Sequence, residues 1–273
     1  MSSTSTAFEK ARAEDRAALV GYLPAGFPDV EGSIAALRAM VAAGCDVIEI
    51  GLPYSDPVMD GPTIQAAAQQ ALEAGVRTTD VLRVVEAVAA TGTPTLVMTY
   101  WNPIERYGVE RFARDLASAG GAGLITPDLT PDFAPEWIAA ADELDLDKVF
   151  LVAPSSTDER VAMTTAACRG FVYATAVMGV TGARATTSDL AGPLVARAKA
   201  LGPSGSPLPV GVGLGVSNGA QAAEVAAKDG IGADGVIVGS AFVRALQDHP
   251  GDRAAGLAAL TALTEDLAGG VRA

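Results

Sequence analysis

The sequence predicts an α/β fold, a single-domain (β/α)8 TIM barrel over residues 1–273, on three observations. Eight short β-branched or apolar runs alternate with longer amphipathic, alanine-rich ones. The alternation fills roughly 250 residues without a linker, which is the size of such a barrel. At the first strand turn, Gly21-Tyr22-Leu23-Pro24-Ala25-Gly26 is followed by Phe27-Pro28, so the GxGxxG of a doubly wound open sheet is missing.

The strand candidates, in order, are Ala18–Leu23, Asp46–Leu52, Thr95–Tyr100, Gly123–Pro127, Lys148–Ala153, Phe171–Ala176, Leu208–Gly213 and Gly235–Val238. Between them the helical period marks Asp29–Ala43, Thr63–Ala74, Asp80–Ala90, Val109–Ala119, Asp132–Asp145, Asp158–Arg169, Ser188–Leu201 and Ser217–Asp229. Asp or Ser opens several of these, because their short side chains accept from the free N–H groups of a first turn. Gly44, Gly75, Gly92, Gly120, Gly170, Gly202 and Gly230 close them. Pro62 or Thr63 stands near the first turn of its helix, where a missing N–H costs nothing.

Composition excludes whole classes. With 49% hydrophobic and 19% charged residues the chain is an ordinary globular sequence, neither disordered nor fibrous. Nineteen Lys and Arg against thirty-two Asp and Glu leave a formal charge of −13, a field that repels nucleic-acid backbones and anionic lipid. A single histidine, His249, rules out a multi-His metal site and makes a Ser-His-Asp triad untenable. Cys45 and Cys168 lack CxxC spacing and read as small core residues, which suits a reducing cytoplasm. Residues 1–15 carry five charges and no apolar stretch of the kind that a signal peptide needs.

In a barrel the chemistry gathers where strands end. Along strand two, alternation puts Val47, Glu49 and Gly51 on one side and Ile48 and Ile50 on the other, so Glu49 points inward if the isoleucines face the helices. A carboxyl in an apolar interior has its pKa raised and can both give and take a proton near neutrality. The loop after it carries Asp56 and Asp60, the latter directly before Gly61-Pro62. Glycines crowd three later strand ends, in Met178–Arg184, Gly211–Ser217 and Gly239-Ser240-Ala241. Main-chain N–H groups can approach a ligand closely there, and a helix opening at Ser240 would aim its positive end at an anion. Together they predict a phosphate cup. None of the four lysines (Lys10, Lys148, Lys199, Lys228) stands where a Schiff base would form, and metal ligands are missing. The substrate must therefore supply its own electron sink: isomerisation through an enol and cleavage assisted by an electron-rich ring both qualify.

Three stretches then resemble the tryptophan synthase alpha chains: Ile48–Pro57 with Asp60-Gly61-Pro62-Thr63, Gly179-Val180-Thr181-Gly182, and Val238-Gly239-Ser240-Ala241. The resemblance runs from about Ala18 to Val243 and implies cleavage of indole-3-glycerol phosphate to indole and glyceraldehyde 3-phosphate. It implies no cofactor in this chain, pyridoxal phosphate only in a partner beta chain, and an alpha2-beta2 heterotetramer. By position it makes Glu49 the general acid/base and Asp60 the acceptor of the indole N–H. It gives the phosphate to Gly182, Leu214, Gly215, Gly239 and Ser240, and the indole pocket to Tyr22, Tyr100, Ile125, Leu151 and Tyr173. Asp128, the segment 54–60 and Asn102-Pro103 would face the partner. Two positions depart from the pattern: Met59, commonly a small residue, and Val177, an arginine in some members. Two other readings stand beside this one: another phosphate-binding barrel, an isomerase or cyclase, and a binding subunit that mainly activates its partner.

Overall fold

The computed structural model describes residues 3–175, 187–203, 208–227 and 229–273. Eight parallel strands close into one barrel in sequence order. They are β1 (Ala18–Pro24), β2 (Val47–Gly51), β3 (Thr95–Met98), β4 (Gly123–Thr126), β5 (Asp147–Val152), β6 (Val172–Thr175), β7 (Val210–Gly213) and β8 (Gly235–Val238). Closure is direct, with Ala18 through Gly21 of β1 registered against Gly235 through Val238 of β8.

Around the strands lie α1 (Thr4–Ala13), α2 (Val30–Ala43), α3 (Pro62–Glu73), α4 (Thr78–Ala89), α5 (Trp101–Tyr107), α6 (Val109–Ser118) and α7 (Pro135–Glu143). The ring continues with α8 (Asp158–Ala167), α9 (Thr187–Leu201), α10 (Gly219–Ala226), α11 (Ser240–Gln247) and α12 (Arg253–Gly270). All eight predicted strands exist, most of them shorter than the apolar runs that announce them. The run from Asp132 to Asp145 is not one helix: a 3₁₀ turn at Pro131–Phe133 precedes α7. Pro135 explains the break, since its ring disfavours helical geometry at Ala134 and fits only a first turn. Asp80 is likewise not a first residue. The helix begins at Thr78, and the Asp80 carboxylate reaches back to accept the Arg77 N–H at 2.9 Å. Helices α1, α5, α11 and α12 lie outside the eight predicted runs, although the helix start expected at Ser240 is found in α11.

Two apolar layers follow from the period of two along each strand. Ile48 and Ile50 belong to the large core between sheet and helices, whereas Val47 joins Val20, Leu96, Ile125, Val149, Phe171 and Ile237 inside the barrel. Helix α1 closes the amino-terminal end. Its Phe8 ring lies 5.1 Å from that of Phe171 and belongs to the inner core. Asp147, wholly buried at the start of β5, accepts the Thr4 N–H at 2.8 Å and the Thr4 hydroxyl at 2.6 Å, which ties the plug in place. The other end of the barrel is open.

Candidate active site

At the carboxyl end of the strands the chain encloses a cavity of about 500 Å3, walled among others by Tyr22, Glu49, Asp60, Met98, Leu151 and Tyr173, with Gly213, Gly215, Gly239 and Ser240. Glu49 is wholly buried, and neither of its carboxylate oxygens has a hydrogen-bond partner among the described residues. It therefore points inward, as the alternation along β2 requires. Loss of water around the carboxyl pushes its pKa up to about 8. An unpartnered buried carboxyl is costly and persists only where a ligand or a reaction uses it.

Asp60 comes to the same cavity from the loop between β2 and α3. Partial burial raises its pKa, and a hydrogen bond from Tyr100 opposes the rise. Tyr22 and Tyr173 are pushed well above the usual phenol range by burial first, and then by the negative charges of Asp60 and Glu49. Their hydroxyls have room because glycines face them. A Cβ at Gly51 would sit 2.2 Å from the Tyr22 hydroxyl, and one at Gly213 would sit 2.4 Å from that of Tyr173.

The glycine-rich side is the start of α11. Gly239 is its N-cap and offers no side chain to the first turn, so N–H groups that lack intrahelical partners stay available at the cavity wall. Gly215 takes φ +73 with open space where a Cβ would stand, a backbone that favours glycine. Leu214, between two cavity-lining glycines, packs its side chain on the outer core and can serve the cavity only through its main chain. Gly182 and Val177 lie outside the described residues.

Of the five predicted pocket residues, Tyr22, Leu151 and Tyr173 form wall and two do not. Ile125 is buried in the inner core, and Pro127, two residues on, takes the place at the wall. Tyr100 is not a strand residue: β3 stops at Met98, Tyr100 caps α5, and Met98 lines the cavity instead. Sequence reasoning missed Met98, Pro127, Ala153, Thr175 and Ile237, although the inward alternation at strand ends pointed to Met98 two residues after Leu96. Lys148 lies in β5 at the closed end, ion-paired with Asp142, far from any role as a Schiff base here. Among the described residues no group of three His, Cys, Asp or Glu could hold a metal ion.

A family model described as the tryptophan synthase alpha chain matches residues 8–272. The chain belongs to that family. The alpha chain of Salinispora arenicola is 63% identical over 100% of this chain and 98% of its own length, and that of Nocardia farcinica is 60% identical over 97% and 94%. Among solved structures, a chain of Mycobacterium tuberculosis tryptophan synthase superposes with a TM-score of 0.89 at 56% identity, covering all of both chains. The alpha subunit of Legionella pneumophila gives 0.87 at 30% identity over 99% and 98%. As a tryptophan synthase alpha chain this protein is a lyase that cleaves indole-3-glycerol phosphate. The alpha chains need no cofactor of their own, pyridoxal phosphate belonging to the beta chain.

Proposed function

We propose that Glu49 and Asp60 carry the cleavage and that the first turn of α11 with Gly215 holds the phosphate. The observation that supports this most is the Glu49 carboxyl, buried, unpartnered and facing the same cavity as the glycine-lined helix start. In its protonated form Glu49 gives a proton to C3 of the indole ring. The ring electrons that make the new C–H bond leave an iminium whose positive charge spreads to N1, where the Asp60 carboxylate accepts the N–H and stabilises the charge. The Glu49 carboxylate then removes the proton from the side-chain hydroxyl next to C3. The O–H electrons become the carbonyl of glyceraldehyde 3-phosphate, the carbon–carbon bond breaks, and its electron pair restores the aromatic ring. The iminium is the electron sink, so the step asks nothing of a lysine or a metal.

Main-chain N–H groups of Gly215, Gly239 and Ser240 bind the phosphate at the positive end of α11, which lets so acidic a chain hold an anion without a cation. Leu214 and Gly182 complete this cup by position in the family pattern. Tyr22, Leu151 and Tyr173 enclose the indole, Ile125 supports that pocket from the layer beneath, and Tyr100 stands at its mouth.

The partner is the beta chain, in an alpha2-beta2 assembly. Val58 and Met59, 78% and 50% exposed, stand in the loop that carries Asp60, and Phe133 is 75% exposed after β4. These side chains would lose their contact with water if the beta chain covers this end of the barrel. Asn102 donates to the Tyr54 hydroxyl at 3.2 Å and so touches the Asp60 loop, while Asp128 accepts the Trp101 N–H at 2.9 Å and holds the start of α5 beside it. The reaction belongs to the cytoplasm; no described helix is long and apolar enough to cross a membrane.

Incubating the purified chain with indole-3-glycerol phosphate, alone and with the beta chain, is expected to release indole. Asp60→Asn is expected to lower kcat by about a hundredfold, since an amide places no counter-charge at N1. A chain that releases no indole in either condition is not this lyase.

A further inference from the structure

We infer that Tyr100 is a positioning residue for Asp60: its hydroxyl takes main-chain N–H of the Asp60 loop on its oxygen and gives its own proton to the Asp60 carboxylate. This rests on the role of Asp60 proposed above. The Tyr100 oxygen accepts the Met59 N–H at 2.9 Å, which sets the hydroxyl against the residue next to Asp60. The hydroxyl still has its own proton to give, and a bond from it to the Asp60 carboxylate, one residue along the gripped loop, opposes the rise in pKa that burial causes there.

Tyr100 is itself held firmly. It is 5% exposed, it caps α5, and its ring lies 5.3 Å from that of Tyr54. The loop it grips has other ties at its two ends, through Tyr54 to Asn102 and through Asp60 to Gln65. Val58 and Met59 face solvent, and Gln65 ties the Asp60 carbonyl at 2.7 Å from the helix side. One hydroxyl therefore does two things: it fixes the loop backbone at the cavity mouth, and it supports the ionised form of Asp60. The second effect matters because the titratable groups facing Asp60 are Glu49 from β2, Tyr22 from β1, Tyr173 from β6 and Tyr100, with no cation among the described residues. Burial there pushes Asp60 toward its neutral form, which neither accepts the indole N–H as strongly nor stabilises the iminium. The Tyr100 proton works against that push.

Tyr100→Phe keeps the ring and its packing and removes only the hydroxyl. Assayed in the complex with the beta chain, it is expected to lose about tenfold in kcat/KM, mostly in kcat, because the carboxylate is needed most when N1 turns positive. The acid limb of its pH profile is expected at higher pH than in the parent, since Asp60 then titrates without its donor. The double variant with Asp60→Asn is expected to lose no more than Asp60→Asn alone, as two residues in one interaction do not add. Additive losses with an unmoved acid limb would mean that Tyr100 only packs, and would overturn the proposal. A wild-type rate in Asp60→Asn would overturn the reading of Asp60 itself, and is told apart because it needs no Tyr100 variant to be seen.

Discussion

Glu49→Gln is expected to leave less than about one part in a thousand of the indole-releasing activity, because an amide of the same shape can neither protonate C3 nor take the hydroxyl proton. The substitution should also change how stability depends on pH. Burial raises the Glu49 carboxyl from 4.5 to about 8, so between those values the folded chain holds a proton that the unfolded chain has released. The stability from this group is fully present below pH 4.5 and is lost as pH rises through about 8, when a charge must sit unpartnered in the barrel. Glutamine carries no such proton. Thermal melts at pH 5 and pH 9 should therefore differ less in Glu49→Gln than in the parent, with the variant the more stable protein at pH 9. Parent kcat/KM should fall as pH rises through about 8, as the free enzyme loses the acid form of Glu49. Identical pH dependence of the melts would mean that the carboxyl is paired or solvated, and residual activity above roughly one per cent would remove it from the proton-transfer role.

Phe8→Ala is expected to cost about 3–5 kcal/mol of folding stability while leaving kcat nearly unchanged in the molecules that fold. The ring is 2% exposed and fills the closed end of the barrel against Phe171. Gly235 makes way for it: a Cβ there would come within 2.7 Å of the ring. Truncation leaves a hole that the strands cannot collapse into, because parallel strands in a closed barrel share one register and move together. The active site is at the other end, with the Val20 and Val47 layer between. Urea unfolding read by circular dichroism measures the loss. A midpoint that moves by less than the equivalent of about 1 kcal/mol would show that α1 frays independently of the barrel.

Much of the site was legible because the signals behind it are local. Side-chain parity along a strand is a property of the backbone, so Ile48 and Ile50 on the outer face put Glu49 inside without any knowledge of neighbours. The glycines at 213, 215 and 239 also announced themselves. Their reasons differ, however, since Gly213 makes room for the Tyr173 hydroxyl while Gly215 serves the turn.

What the order of residues determined by itself is thus the alternation of strands and helices, the inward carboxyl of Glu49 and the glycine-lined helix start, each set within a few residues of chain. Which layer faces the cavity was decided only by closure of the barrel: Ile125 falls one layer too deep, and Pro127 replaces it at the wall. Closure also decided where β3 stops, and with it the fate of Tyr100, which parity would have kept in the wall and the turn into α5 carried to the Asp60 loop. The physical reason is the same in each case. Parity is counted along one strand, but depth and strand length are fixed by how eight strands tilt and register against one another, and no single segment contains that information.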